Sequence, residues 1–212
     1  PPTPPPLNCR RQRQMCIRDR FKDGFIDAGT LFVDPTATIK ELNIVIEGGT
    51  VVEDQDLTPA VADALRASSD AAALTPTRTF QDIKETADIQ SGGNNLTVVE
   101  VNKIELKDGK ILTLSGGSED NFVINIADNL KLENDSKIKL AGDLQASNVL
   151  FNFKKKDASV EIKKGSSASG VFLAPGTDAV FKIEDPGTTV VGALIAAGRE
   201  ISIKKDAQVI SP

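Results

Sequence analysis

Three copies of one pattern decide the fold of this chain: Asn148-Val-Leu-Phe-Asn-Phe with Ser159-Val-Glu-Ile, Gly170-Val-Phe-Leu-Ala with Ala179-Val-Phe-Lys-Ile, and Gly192-Ala-Leu-Ile-Ala with Glu200-Ile-Ser-Ile. Each copy is a longer apolar strand, a polar turn, a shorter alternating strand and a charged exit. The longer strands begin 22 residues apart. A period near 20 residues with two strands per unit is typical of β-solenoids, whose coils stack because none can bury its apolar face alone. We therefore predict a mostly β protein, a β-solenoid with regular coils over 148–206.

The alternation of apolar and polar residues predicts which side chains face the core. In the shorter strands it turns Glu161, Lys182 and Ser202 to solvent. The predicted inward residues there are Val160, Ile162, Phe181, Ile183, Ile201 and Ile203. In the longer strands it places Phe151, Leu173 and Ile195 inside and leaves an outward apolar column of Leu150, Phe172 and Leu194. Monomers rarely expose such a column, so either another element covers it or the parity of these strands is shifted by one residue.

One helix is predicted over residues 59–74. Thr58 is a candidate N-cap with Pro59 at the first helical position, and Thr75-Pro76 ends the run. The residues that share one face of it are Val61, Leu65, Ser68 and Ala72. We predict that this helix covers the apolar column through Val61, Leu65 and Ala72.

Residues 1–20 are set apart from the fold. Arg11-Gln-Arg-Gln-Met-Cys-Ile-Arg-Asp looks like a translated sequencing adapter, so we expect 1–20 to be a disordered artefact and 21–212 to be a single domain. A basic linker or nucleic-acid tail is the alternative. Without its five arginines and one aspartate, the 25 basic and 30 acidic residues fall to 20 and 29, a net charge of −9. That balance argues against nucleic acid as a partner.

Residues 21–212 contain no His, Cys, Trp, Tyr or Met, so this segment lacks the side chains that several kinds of functional site require. Histidine-based zinc and general-base sites are excluded, as are thiolate sites and disulfides. No run of residues is long and apolar enough for a membrane span. We predict no catalytic, cofactor or metal site and no enzymatic activity.

The remaining polar clusters are candidates for contacts with a ligand. Lys154, Lys155 and Lys156 form a basic turn that could touch an anionic polymer, and Thr188-Thr189, with 166–169, is the remnant of a small-residue surface. Acidic clusters at 53–56, at 119–120 and at Asp178 with Asp185 could hold calcium. None has the spacing of an established calcium loop, so solvated turns are the preferred interpretation.

The longer strands and their flanks resemble a known family. Asn148-Val-Leu-Phe-Asn-Phe, Gly170-Val-Phe-Leu-Ala-Pro and Gly192-Ala-Leu-Ile-Ala are similar to signatures of the choice-of-anchor A domain, an ice-binding-like adhesive domain of bacterial secreted and surface proteins. Leu112-Thr-Leu-Ser-Gly-Gly, Phe122-Val-Ile-Asn-Ile and Ala146-Ser-Asn-Val resemble bacterial and fungal ice-binding proteins. The likeness covers about 57–210. It implies a discontinuous β-helix with one long helix along a face, located outside the cell or on its surface, and we expect both ends to be truncated.

Three functions are compared on this basis. The main prediction is a non-catalytic structural or adhesive module that binds a surface polymer, a polysaccharide or a protein. Ice binding is the alternative, and we expect no thermal hysteresis and no inhibition of ice recrystallisation because Glu161 and Lys182 project from the shorter strands. A carbohydrate-active enzyme is the remote alternative, since aromatic residues other than Phe are missing.

Overall fold

Parallel strands wind about five times around one apolar core in the computed structural model. The structure describes residues 56–93, 95–197, 200–204 and 206–210, together with seven strands between residues 14 and 52. Every strand pairing among these residues is parallel. The predicted β-solenoid is therefore confirmed.

The elements before the main coils are short. They are β1 (Gln14–Ile17), β2 (Arg20–Lys22), β3 (Phe25–Asp27), β4 (Thr30–Val33), β5 (Thr38–Ile39), β6 (Val45–Glu47), β7 (Thr50–Val52) and the helix α1 (Thr58–Ala72). The strands of the main coils are β8 (Arg78–Ile83), β9 (Ala87–Gln90), β10 (Leu96–Leu106), β11 (Ile111–Gly116), β12 (Asn121–Ile126), β13 (Leu130–Leu132), β14 (Lys137–Gly142), β15 (Val149–Phe153), β16 (Ser159–Ile162), β17 (Ser167–Ala174), β18 (Val180–Ile183), β19 (Thr189–Ala196), β20 (Glu200–Ile203) and β21 (Gln208–Ile210).

Strand pairing divides the solenoid into three faces. The helix-covered face consists of the first part of β10, then β12 and β15, and the last parts of β17 and β19. The charged face consists of the last part of β10, then β13, β16, β18 and β20. The hydroxyl face consists of β9, β11 and β14, the first parts of β17 and β19, and β21. Each coil contributes one strand segment to each face.

The core is a stack of apolar side chains from successive coils. All six residues predicted to point inward from the shorter strands are buried, which confirms that part of the facing. Phe151 and Phe172 stack at the centre with ring centroids 4.7 Å apart and planes 6° from parallel. Offset or parallel aromatic contacts of this kind stabilise a core beyond the area that they bury.

The facing predicted for two of the longer strands is wrong by one residue. The repeat alignment set Asn148 against Gly170, but the ladder pairs Leu150 with Val171 and Phe151 with Phe172. A slip of one residue moves every side chain of a strand to its other side. Phe172 and Leu194 consequently point into the core, and Ile195 is 40% exposed. Leu173 is buried as predicted, but on the outward side of its strand and not in the core.

Two glycines allow β17 and β19 to turn the corner between the hydroxyl face and the helix-covered face. Gly170 has a φ of 145° and Gly192 a φ of 141°, values that L side chains rarely adopt. A Cβ on Gly192 would lie 1.9 Å from the carbonyl oxygen of Gly170. Glycine is therefore required for the two strands to stack closely at this corner.

The helix lies along the solenoid, as predicted, but through other residues than expected. It begins at Thr58, so Leu57 and not Thr58 is the N-cap, and Leu57 has no capping side chain. The Thr58 backbone N–H donates to Asp56 Oδ1 (3.0 Å). Its buried residues are Ser68 and Ala71, while Leu65 is 50% exposed. Ala72 is exposed as well. The predicted contact of Leu65 and Ala72 with an outward apolar column is thus wrong, because Phe172 and Leu194 of that column lie in the core. The helix packed along the solenoid is confirmed.

A strand that precedes α1 in the sequence stacks on a strand from the C-terminal part of the chain. Phe21 and Lys22 of β2 pair with Ile201 and Ser202 of β20, so the order of coils in space differs from their order in sequence. This is the discontinuity that the family resemblance implies. Strand β1 falls inside the segment 1–20, and residues 1–13 lie outside the described residues. The origin of that segment stays a prediction.

Candidate functional site

The helix-covered face is occupied by α1, which a chain of buried amides holds in place. Asn152 Nδ2 donates to the Ser68 carbonyl (3.0 Å) and to Asn125 Oδ1 (2.8 Å), and its Oδ1 accepts from Ser68 Oγ (2.6 Å). Asn125 Nδ2 donates to the Ala71 carbonyl (2.8 Å). The step of three residues on the helix matches one step between strands, because a helical turn rises about 5.4 Å and strands lie about 4.8 Å apart. This face has little room for a ligand.

The charged face carries two columns of alternating charge. The first, read from coil to coil, is Glu105, Lys131, Glu161, Lys182 and Ser202. The second, two residues further along each coil, is Lys107, Glu133, Lys163, Glu184 and Lys204. Signs alternate along both columns and between them, so opposite charges are neighbours in both directions. We call this arrangement the charge lattice.

Ion pairs connect the charge lattice. Lys163 Nζ lies 3.1 Å from Glu161 Oε2 and 3.5 Å from Glu184 Oε2, and Lys204 Nζ lies 2.8 Å from Glu184 Oε1. Partial burial acts to raise the pKa of Glu161, but the hydrogen bond from Lys163 and the surrounding lysines outweigh it and lower that pKa. The pKa of Glu184 is lowered in the same way, mainly by Lys204 and Lys163 against its burial. Both carboxylates are therefore held in the charged form.

The hydroxyl face is built from smaller, mostly uncharged side chains. In the last three coils one outward column is Ser167, Thr189 and Gln208. The neighbouring column is Ser169, Val191 and Ile210. An earlier coil adds Thr113, and Lys137 and Lys139 stand between it and the later coils. Strand pairing fixes these side chains in rows about 4.8 Å apart.

Four hydroxyls on this face are free to bind something outside the chain. The side chains of Thr113, Ser167, Ser169 and Thr189 make no hydrogen bond within the part of the chain that the structure describes. They are half-buried between their neighbours on the strand surface. Rigid strands present these groups at little cost in conformational entropy. The arrangement suits many weak polar contacts with an ordered, flat ligand.

The two threonines predicted as contact residues have different positions. Thr188 is fully buried, and its Oγ1 donates to the Glu184 carbonyl (2.7 Å) while accepting from the Gly165 N–H (3.2 Å). Its neighbours in the interior are Ser136 and Ser166, whose hydroxyl oxygens lie 3.3 Å apart. Thr189 faces outward beside Ser167. Only Thr189 of this pair can contact a ligand in this structure.

Each lysine of the predicted basic turn has an acidic partner. Lys154 pairs with Glu100, Lys155 Nζ lies 2.8 Å from Asp128 Oδ1, and Lys156 Nζ lies 3.0 Å from Asp178 Oδ2. The turn lies between the helix-covered and the charged face. It is thus a neutralised surface, and its role as a contact for anionic polymers stays a prediction.

The acidic clusters do not form a metal site among the residues that the structure describes, where no three carboxylates converge. Asp120 Oδ2 accepts from the Gly117 N–H (2.8 Å), and Asp185 Oδ2 accepts from the Lys164 N–H (3.1 Å). Both are turn contacts, in line with the preferred interpretation. The cluster at 53–56 lies mostly outside the described residues. No helix in the described part is long and apolar enough to cross a membrane.

Sequence reasoning missed the hydroxyl face as a whole. It noted 166–169 and Thr188-Thr189, but Thr113 belongs to a strand whose pairing was not predicted, and Val191 lies just before the strand predicted to begin at Gly192. The signal was present as alternation in Thr189-Val-Val and Ser167-Ala-Ser, each with a buried central residue. The charge lattice could have been found by aligning the residues that follow each shorter strand.

Coils with flat outward faces, and a helix along one of them, define a β-solenoid that presents a regular array of side chains to its surroundings. A family model described as ice-binding-like matches residues 23–209, and the chain belongs to this family. The name choice-of-anchor A is not confirmed. No curated protein matches the chain.

Solved structures with the same fold include ice-binding proteins from several organisms. The protein of the Antarctic ascomycete Antarctomyces psychrotrophicus is 20% identical with a TM-score of 0.69, covering 93% of this chain and 92% of its own. One from an Antarctic biological consortium is 20% identical with a TM-score of 0.70, covering 93% and 86%. The ice-binding domain of Shewanella frigidimarina is 16% identical with a TM-score of 0.67, covering 95% and 93%. At these identities the likeness establishes the fold alone.

These findings correct the predicted function. An adhesive module with a polysaccharide or protein partner was the main prediction, but the ice-binding-like family to which the chain belongs favours the ice-binding alternative. The family is one of ice-binding proteins and not of enzymes, which supports the absence of catalysis at this coarse level. A bacterial origin is not established, because the matching structures include fungal proteins.

Proposed function

We propose that this protein binds ice and that the hydroxyl face is its contact surface. The observation that carries the proposal is the set of four outward hydroxyls without partners in the described part of the chain, on a protein of the ice-binding-like family. Ice is a fixed lattice of water molecules, so it can donate to and accept from hydroxyls held in rows. Val191, beside Ser169 and Thr189, adds an apolar contact that excludes liquid water.

The other two faces are poor surfaces for ice. One lies under α1. The other is the charge lattice, whose ammonium and carboxylate groups bind liquid water strongly and would lose that hydration against a solid. The sequence-based expectation of no ice activity considered only the shorter strands, and these lie on the charged face. It does not apply to the hydroxyl face.

Inhibition of ice recrystallisation tests the proposal. Purified full-length chain, residues 1–212, is added to a sucrose solution containing fine ice crystals, and crystal size is followed over time. We expect coarsening to stop at micromolar protein, because a molecule adsorbed on a crystal surface impedes its growth. Heat-denatured protein at the same concentration is the control. Coarsening at the rate seen without protein would contradict the proposal.

A further inference from the structure

Two lysines stand in the middle of the hydroxyl face without acidic partners. Lys137 pairs across the ladder with Ile111 on one side and Ser167 on the other, and Lys139 pairs with Thr113. Both side chains are exposed. Neither forms an ion pair or a side-chain hydrogen bond within the described part of the chain. On the charged face, by contrast, Lys131, Lys163 and Lys182 each lie within 3.6 Å of a carboxylate oxygen.

Their place in the ladder divides the face. Strand β14 lies between β11, which carries Thr113, and β17, which carries Ser167 and Ser169. Thr113 and the later hydroxyls are therefore separated by two strand spacings, about 10 Å. A lysine ammonium on its four-carbon stem reaches further from the strand than a serine or threonine hydroxyl. It is also a compact, strongly hydrated charge.

These properties oppose contact with a flat solid across β14. A crystal surface that touches Thr113 and Ser167 together must either push both stems aside or strip water from two ammonium groups. The nearest carboxylate across the ladder, Asp88, lies on the far side of Thr113, where it accepts from Ser115 Oγ and forms no ion pair with either lysine. The two ammonium groups are therefore unpaired in the described part, and unpaired charges are costly to desolvate.

We propose that Lys137 and Lys139 limit the ice-contact surface to the last three coils and so set the strength of ice binding. This inference rests on the proposed function. The two lysines are specificity-determining residues of the hydroxyl face: they exclude Thr113 from the contact and leave Ser167, Ser169, Thr189 and Val191 as its centre.

The test replaces each lysine with the residue that pairs with it on a neighbouring coil, Ser167 for Lys137 and Thr113 for Lys139. The double variant Lys137→Ser/Lys139→Thr joins the two parts of the face. We expect the protein concentration that halves ice recrystallisation to fall roughly tenfold, which corresponds to about 1.4 kcal/mol of contact free energy. A second variant, Lys137→Arg/Lys139→Arg, keeps two long cations and should behave as the unchanged protein.

A matched control removes two positive charges elsewhere. Lys156→Ser/Lys164→Asn changes two exposed lysines in turns outside the hydroxyl face, and Asn tolerates the positive φ of 54° at position 164. We expect no change in the inhibitory concentration. Equal improvement in this control would overturn the inference, because net charge would then explain the gain.

The outcomes separate the inference from the function on which it rests. If the unchanged protein inhibits recrystallisation and Lys137→Ser/Lys139→Thr does not improve it, the inference fails and the function stands. A loss of inhibition in that variant, or in the arginine variant, also overturns the inference. If neither the unchanged protein nor the serine–threonine variant inhibits, the proposed function itself fails. Inhibition by the variant alone supports the two lysines as the barrier but contradicts the proposed function of the unchanged protein.

Discussion

At the scale of single residues, Asn152 does most to place the helix. Its side chain makes three hydrogen bonds, with Ser68 twice and with Asn125 once, in a fully buried position. Sequence analysis treated Asn152 as part of a family signature and did not assign it a contact. The helix face was predicted from the spacing of apolar residues, and that spacing does not show where a buried polar residue such as Asn152 binds the helix. The predicted face was therefore rotated toward Leu65.

The amide network gives a direct prediction. Asn152→Ala removes all three hydrogen bonds and leaves Asn125 and the Ser68 groups without their partner, so we expect a loss of about 2–3 kcal/mol in the free energy of unfolding. Asn102→Ala is the control, since Asn102 is exposed and makes one bond to Asp82. Urea denaturation measures both. Equal, small losses in the two variants would show that the network does not hold the helix.

The corrected facing of the longer strands can also be tested residue by residue. Phe181 is fully buried, so Phe181→Ala should lower the free energy of unfolding by roughly 3–5 kcal/mol. Ile195 is 40% exposed, and Ile195→Ala should cost less than about 1 kcal/mol. Thermal unfolding of the two variants distinguishes this facing from the one predicted by the repeat alignment, in which both residues are internal.

At the scale of elements, the facing of the shorter strands and of the first longer strand was predicted correctly, except that Ser202 is buried, whereas the facing of the other two longer strands was wrong. The shorter strands alternate apolar and polar residues without interruption, as in Val180-Phe-Lys-Ile, so their inward side is unambiguous. The longer strands continue around a corner at Gly170 and Gly192, and beyond it they carry apolar residues on both sides, such as Leu194 on the core side and Ile195 on the outer side. Apolar residues on both sides of a strand carry no parity signal, and only the ladder pairing resolves the register.

The charge lattice makes stability depend on pH. Glu161 and Glu184 have pKa values lowered from 4.5 in the folded protein. Their contribution to stability is therefore fully present above about pH 4.5 and is lost as the pH falls through the lower, folded-state values. The pKa of Lys163 is raised from 10.5, since Glu161 and Glu184 outweigh its burial, so its contribution is lost only in strong alkali.

We expect acid to destabilise the protein through these two carboxylates. Between neutral pH and about pH 3, the melting temperature of the unchanged protein should fall more steeply than that of the double variant Glu161→Gln/Glu184→Gln, which cannot lose these charges. Glu119→Gln, at an exposed turn residue, is the control and should follow the unchanged protein. If the melting temperatures of the double variant and the unchanged protein fall equally with pH, the charge lattice is not the cause of the acid destabilisation.

At the scale of the whole molecule, the repeats and the helical pattern predicted the solenoid and the helix beside it. They did not predict which of three outward faces could bind a ligand, because that depends on the pairing of residues 22 to 30 positions apart. Thr113, Ser167 and Thr189 belong to three different coils and become one surface only when those coils stack.

Adsorption to ice itself tests most directly whether the hydroxyl face is the ice-contact surface. Fluorescently labelled protein is added to the liquid around a single ice crystal that grows slowly at constant temperature, and the fraction of protein incorporated into the ice is measured. Two variants are compared: Thr189→Lys places a positive charge on the hydroxyl face, and Thr177→Lys places the same charge on an exposed turn. If the hydroxyl face contacts ice, the unchanged protein and Thr177→Lys enter the ice, whereas Thr189→Lys stays in the liquid. Incorporation of Thr189→Lys to the same extent as Thr177→Lys would contradict this role of the hydroxyl face.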